Sequence, residues 1–135
     1  MTGEIFALLS SKSLLAQSIE AGAIWSAQAF LNGLDSSADR GGIMHQLFTV
    51  RSLQLSHEHT RERGGSYLSG LLIGNEIRSM LQNKGANVAV VGEGPLAERY
   101  QTALTHLDHS AFIIDSQDAT IVGALQIVPH LNLQV

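Results

Sequence analysis

The sequence predicts an α/β chain in a single lobe, helix-rich over residues 1–85 and closing on a βαβα unit over residues 86–135. Before residue 83, apolar residues recur at helical spacing. Beyond Gly85, two short apolar runs, 88–91 and 111–114, flank a stretch whose apolar residues share one face at i, i+4, i+7 and i+11. That is the pattern of two parallel strands joined by a crossover helix. A length of 135 residues suits one domain with one core.

In order along the chain, Ile5, Leu8 and Leu9 mark a first helix, and Leu14, Leu15 and Ile19 a second apolar segment. A third holds Ile24, Ala27, Phe30, Leu31 and Leu34 and ends over residues 32–37, where Gly33 and a polar run give a stop and a turn. Over residues 43–55, Leu47, Val50 and Leu53, with Met44, Phe48 and Leu55 around them, predict a largely buried helix in which His45, Arg51 and Gln54 supply polar atoms. Residues 57–65 are polar and charged and read as a solvated connector. Ser66 is then a candidate N-cap for a helix running to about Lys84 and stopped by Gly85.

That helix has an apolar stripe of Ile73, Ile77, Met80 and Leu81, with Ser69, Gly70 and Gly74 on adjoining surface. Each helical glycine costs about 1 kcal/mol relative to alanine, so a close approach by another group is expected there. Further on, Gly92-Glu93-Gly94-Pro95 forms a tight turn that puts Pro95 at the first helical position, where its missing N–H does no harm. Leu96, Tyr100, Ala103 and Leu107 share the face of the helix that follows. Asp115 and Ser116 cap a last helix through Val128, packed by Val122, Leu125 and Val128 and ended by Pro129.

Composition narrows the function classes. Eight Lys and Arg against twelve Asp and Glu leave a formal charge of −4, which offers no footprint for a nucleic-acid backbone or an anionic membrane. The absence of cysteine removes disulfides, thiolate catalysis and Cys-based metal sites, and makes the cytoplasm the default location. No apolar stretch reaches spanning length. Near the N-terminus, Glu4 comes early and Lys12 late, the wrong order for a secretory signal, so a soluble protein is expected.

Four features can carry chemistry. The loop of Gly92, Glu93, Gly94 and Pro95 sits between a strand and a helix N-terminus, where parallel sheets gather ligands; it serves either as a nucleotide contact or as a plain structural turn. It has neither the third glycine of the dinucleotide fingerprint nor the Lys-Ser/Thr of a phosphate loop. His57 and His59, and His106 and His109, are spaced as metal-ligand pairs, but with no cysteine and no carboxylate pattern nearby they are expected to be exposed, with no metal site. Arg51, in an otherwise apolar helix, can clamp a substrate carboxylate or phosphate, or can hold helix-end carbonyls or an internal acid. Glu4, at a helix start, can favour the helix dipole or bind a substrate hydroxyl or a metal-bound water. No Gly-x-Ser-x-Gly elbow is present, so serine-hydrolase chemistry has no context.

Three stretches, in order, are more specific than any of these. Met1-Thr2-Gly3-Glu4-Ile5-Phe6-Ala7-Leu8-Leu9 followed by Ser13-Leu14-Leu15, then His45-Gln46-Leu47-Phe48-Thr49-Val50-Arg51, then Ser66-Tyr67-Leu68-Ser69-Gly70-Leu71-Leu72-Ile73-Gly74-Asn75-Glu76-Ile77 resemble the 2-dehydro-3-deoxygalactonokinase family. The segment from Val90 to Tyr100 looks like the late strand, loop and helix of that family, and residues 119–125 like its last helix. The resemblance implies the C-terminal lobe of an actin-like fold, the superfamily of sugar kinases and heat-shock ATPases. It also implies ATP-dependent phosphorylation of the C6 hydroxyl of 2-dehydro-3-deoxy-D-galactonate, with Mg²⁺ accompanying ATP. The adenosine would then lie against Gly92, Glu93, Gly94 and Pro95 and against the helix surface of Ser69, Gly70 and Ile73, leaving Glu4 and Arg51 as the substrate-side candidates.

Members of that family begin with an Asp-Trp-Gly-Thr/Ser phosphate hairpin and carry a Gly-Thr-His-x-Lys segment just upstream of the Met-Thr-Gly-Glu stretch. Neither occurs in these 135 residues. Phosphoryl transfer rests on positioning and on neutralising charge at the γ-phosphate. The chain is therefore expected to be inactive alone and to depend on a missing N-terminal lobe, or to act as a non-catalytic binding or dimerisation module, a homo-oligomer, derived from the lobe.

Overall fold

A computed structural model gives the structure of the chain and describes residues 1–127. Two compact units divide it, Met1–Gln82 and Asn83–Val135.

The first unit is all helical: α1 (Thr2–Lys12), a 3-10 turn (Leu14–Ser18), α2 (Ala27–Ser36), α3 (Gly42–Leu55) and α4 (Arg61–Met80). Its core gathers Leu15, Ile19, Ala29, Val50, Tyr67, Leu68, Leu71 and Leu72, with Phe6, Leu9, Ile43, Leu47 and Leu53 packed around them. The 20-residue α4 is the spine, with an unbroken buried run from Ser66 to Gly74. It takes that role because α2 lies against it at backbone distance. A Cβ on Gly70 would strike the Phe30 carbonyl, one on Gly33 the Tyr67 carbonyl, and one on Gly74 the Ser37 hydroxyl. Each missing side chain admits the neighbouring helix, so the close approach expected at Gly70 is made by protein backbone.

The structure departs from the sequence expectations at several elements. Gly33 does not stop α2; it is buried inside the helix at the crossing. The stretch over residues 57–65 is not all connector, because α4 begins at Arg61 behind Thr60. Ser66 is accordingly no N-cap: it is buried within α4, and its hydroxyl accepts the Ser26 N–H at 3.0 Å. The helix stops at Met80, where Leu81 turns extended, and Gly85 (φ 80°) belongs to the turn before the next strand. α3 is far less buried than its composition suggested. Only Gln46 and Val50 are fully buried and Ile43, Leu47 and Leu53 partly so, while Met44, Phe48 and Leu55 face outward.

The second unit is β1 (Asn87–Val91), α5 (Gly94–His106), β2 (Ser110–Ile114) and α6 (Ser116–Ile127). β1 and β2 pair in parallel, Asn87 with Ser110 through Val91 with Ile114, as the βαβ pattern predicted. α5 packs against both strands. Its buried residues are Ala97, Ala103 and Leu104; Leu96 is exposed, and Tyr100 and Leu107 are only partly covered, so the buried face is rotated from the one expected. Asp115 caps α6 as predicted, its Oδ1 accepting the N–H groups of Gln117 (2.7 Å) and Asp118 (3.2 Å). Val122 and Leu125, expected to pack this helix, are exposed; Val128 and Pro129 lie outside the described residues.

Candidate functional site

The glycine loop starts where β1 ends. The Gly92 N–H donates to the Ile114 carbonyl at 3.0 Å, prolonging the ladder by one bond. Glu93 is extended (φ −141°) and stands at the N-cap of α5 without spending its carboxylate on a capping bond. Gly94 takes φ 67°, a left-handed conformation that residues with a Cβ avoid, and Pro95 follows in the first turn. Glu93, Gly94 and Pro95 are exposed, and a Cβ on Gly94 would meet nothing within 4 Å. The loop therefore opens outward at the carboxyl end of a parallel strand, with the first N–H groups of a 13-residue helix behind it. A ligand with hydroxyl groups suits it, because the free Glu93 carboxylate accepts hydrogen bonds while repelling a phosphate placed beside it.

Ser69, Gly70 and Ile73 lie elsewhere, deep in the first unit, and all three are buried. The face of Gly70 is filled by the Phe30 carbonyl and the Leu34 N–H. These residues hold α2 against α4 and present no open surface.

Arg51 reaches back from α3 to the 3-10 turn. Its Nη1 donates to the hydroxyl of the buried Ser18 and to Gln54 Oε1, both at 3.2 Å, while Ser18 donates to Gln54 Oε1 at 3.4 Å. It thus holds neither helix-end carbonyls nor an acid, and among the described residues no carboxylate forms an ion pair with it. Glu4 is exposed in the first turn of α1, where its charge favours the helix dipole.

The histidines do not converge. His57 is exposed with φ 62°. His59 is half-buried, edge-on to Tyr67 at 5.2 Å between ring centroids, and burial, aided by Arg63 and opposed by Glu58, pushes its pKa below the usual imidazole value. His109, contrary to the expectation of exposure, is buried, with Nδ1 accepting the Ala86 N–H at 3.3 Å. No group of three His, Asp or Glu among the described residues is placed to hold a metal ion. Next to His109 in the chain, the exposed Asp108 pairs with Lys84, and its carboxyl is held below the usual range chiefly by that hydrogen bond.

Sequence reasoning missed the polar fastening of α3 and α2. Buried Gln46 donates to the carbonyls of Asp39 (2.6 Å) and Ser37 (3.3 Å) and accepts from Asn75 at 2.8 Å. Arg78 closes the end of α2 by donating to Ser37 Oγ and the Leu34 carbonyl. The signal was a glutamine placed among apolar residues of α3 beside an asparagine on α4. An open cleft of about 340 Å³ lies in the first unit, lined by Glu20, Gly22, Ala23, Ile24, Ser26, Glu62 and Arg63; it contains none of the expected site residues.

The family model described as 2-keto-3-deoxy-galactonokinase matches residues 1–127. "Probable 2-dehydro-3-deoxygalactonokinase" of Rhizobium meliloti (strain 1021) is 30% identical over 128 residues, covering 91% of this chain and 42% of the relative. The 2-dehydro-3-deoxygalactonokinase of Escherichia coli (strain K12) is 38% identical over 106 residues, covering 76% of this chain and 36% of the relative. A crystal structure from Sinorhizobium meliloti, assigned as a 2-dehydro-3-deoxygalactonokinase, superposes with a TM-score of 0.84 at 27% identity, covering 100% of this chain and 45% of that one. The chain spans under half the length of each. No helix among the described residues is long and apolar enough to cross a membrane. Helical core, parallel strand pair and glycine loop lie within the matched stretch, and on that match the chain belongs to the 2-keto-3-deoxy-galactonokinase family.

Proposed function

We propose that this chain forms the C-terminal part of a cytoplasmic, ATP-dependent kinase that phosphorylates 2-dehydro-3-deoxy-D-galactonate at its C6 hydroxyl, within an actin-like fold. The observation that carries the reading is the family match over residues 1–127, which spans both units. In the reaction the C6 oxygen bonds to the γ-phosphorus of ATP, the bond to the bridging oxygen of ADP breaks, and the hydroxyl proton leaves to a base. No described residue is assigned as that base. The segments that grip phosphates in this family have no counterpart in these 135 residues, so phosphoryl transfer requires more polypeptide than they provide. Mg²⁺ is carried on the nucleotide phosphates, as is usual for a cation that keeps most of its water.

The adenosine end falls to the loop of residues 92–95. The exposed carboxylate of Glu93 accepts hydrogen bonds from the ribose hydroxyls, and glycine at 92 and 94 keeps side chains out of the way. Ser69, Gly70 and Ile73 contribute indirectly, by fixing α4 against α2. Arg51, charged, half-buried and without a carboxylate partner among the described residues, is the candidate for the carboxylate of the sugar acid, and Glu4, exposed, for one of its hydroxyls. Titrating the ¹⁵N-labelled chain with adenosine, ADP and MgATP by NMR tests the loop assignment. The amides of Gly92, Glu93 and Gly94 should shift with all three ligands, and Glu93→Gln should weaken adenosine about tenfold, the cost of losing a charge-assisted hydrogen bond. Shifts confined to other residues, or an unaffected Glu93→Gln variant, would contradict it.

A further inference from the structure

Only one edge of the Arg51 guanidinium is engaged. A guanidinium carries five N–H groups, two on each Nη and one on Nε. The pair on Nη1 is taken up by the Ser18 hydroxyl and by Gln54 Oε1, each at 3.2 Å. Among the described residues Nε and Nη2 have no partner. No buried side-chain nitrogen among those residues lacks one, so both atoms open to solvent. The Nε–H and one Nη2–H point the same way, and on that edge a carboxylate docks through two parallel hydrogen bonds.

The groups on the other edge place the charge without neutralising it. Arg51 and Gln54 are three residues apart on α3 and so share a face. Ser18 ends the 3-10 turn that packs against that helix and is fully buried, with Gly64 of α4 fitted beneath its carbonyl. The Ser18 O–H donates to Gln54 Oε1 at 3.4 Å, which closes a ring of three hydrogen bonds and fixes the direction of each. Both oxygens that face Nη1 are neutral. A charge drawn partly out of water ordinarily takes a carboxylate partner, and among the described residues Arg51 has none.

We infer that Ser18 and Gln54 are positioning residues, which hold Arg51 so that its Nε–Nη2 edge receives a carboxylate side-on, that of the sugar acid in the proposed reaction. The identity of the acid rests on the proposed function; the edge itself does not. Carboxylate and phosphate present the same pair of oxygens to such a fork. The carboxylate is assigned because it is the one anionic group of the proposed substrate.

The test follows the Arg51 Nε–H signal of the ¹⁵N-arginine-labelled chain during titration with 2-dehydro-3-deoxygalactonate, acetate and inorganic phosphate. We expect the signal to shift with both carboxylates, the sugar acid binding at least about tenfold more tightly than acetate through its added hydroxyl contacts. Gln54→Ala should weaken the sugar acid about tenfold, and Ser18→Ala by a smaller factor. Read from the backbone amides of α3, Gln54→Ala should cost nothing further in an Arg51→Lys background, where the group it positions is gone. The backbone spectrum checks that each variant folds, and Ser18→Ala, which removes a single oxygen, serves if Gln54→Ala does not. An Arg51 Nε–H unmoved by either carboxylate, phosphate binding more tightly than the sugar acid, or an undiminished Gln54→Ala loss in the Arg51→Lys background would each overturn the inference. Equal affinity for acetate and the sugar acid keeps the positioned fork and removes the sugar-acid reading.

Discussion

At Gly70 two effects of adding one methyl group oppose each other, and their sizes decide the outcome. Alanine gains about 1 kcal/mol of helix propensity over glycine. Its Cβ would, however, drive into the backbone carbonyl of Phe30 and sit within 3.0 Å of the Leu34 nitrogen, and overpacking costs about 1–3 kcal/mol or more when backbone must move. Gly70→Ala should therefore lose about 2 kcal/mol in urea unfolding. Gly65→Ala, in the same helix, should gain up to about 1 kcal/mol, because its Cβ meets only Ile19 Cγ2 at 3.5 Å. Equal effects at the two positions would refute the backbone-crossing explanation. Gln46→Leu should cost about 1–3 kcal/mol by removing the donor to the Ser37 and Asp39 carbonyls and one of the two acceptors of the Asn75 amide, whose other acceptor, the Leu71 carbonyl, remains.

His59 adds a pH dependence. Its pKa is lowered in the folded state, so the unfolded chain binds the proton more readily. Stability should fall as pH drops through about 6.5 and level off below the folded pKa. Thermal unfolding of His59→Asn should show a shallower dependence over that window; an unchanged profile would remove His59 as its source. Of these residues Gly70 stood out in the sequence as a costly helical glycine, and His59 only as half of a spaced histidine pair. Gln46 stood out as a glutamine among apolar residues, but its partner Asn75 and the partners of Arg78 are 29 to 44 residues away in sequence, and no local pattern encodes those pairings.

Among the elements, the strand–turn–helix–strand order was readable because each boundary has a local chemical cause: β-branched runs, Gly94 needing positive φ, Pro95 in the first helical turn, Asp115 capping α6. The start of α4 was not, since the charged residues 61–63 look like a loop and become helix because Gly64 fits beneath the Ser18 carbonyl. Exposure of α3 and α6 was equally hidden: an apolar stripe states that a face seeks a partner, not whether one is present. Twelve apolar residues are buried in the first unit and three in the described part of the second. Hydrogen exchange on the chain alone should accordingly find the amides of α4 protected longest and those of β1, β2 and α6 exchanging first. The reverse order would show that the strand pair holds more stability than its burial suggests.

Taken whole, the molecule carries a family's sequence through residues 1–127 over under half the length of its relatives. Its glycine loop is exposed at the carboxyl end of a parallel strand. Family membership was legible from three ordered motifs. Of the residues singled out in the sequence, 93–95 are exposed and Ser69, Gly70 and Ile73 are buried, because the small-residue surface of α4 reads the same whether a ligand or a helix fills it. The deciding measurement is phosphoryl transfer from MgATP to 2-dehydro-3-deoxygalactonate by the chain alone and after co-expression with the remaining portion of the Rhizobium meliloti relative. Activity only in the combined preparation is the predicted result; turnover by the chain alone, or none in either preparation, would contradict it.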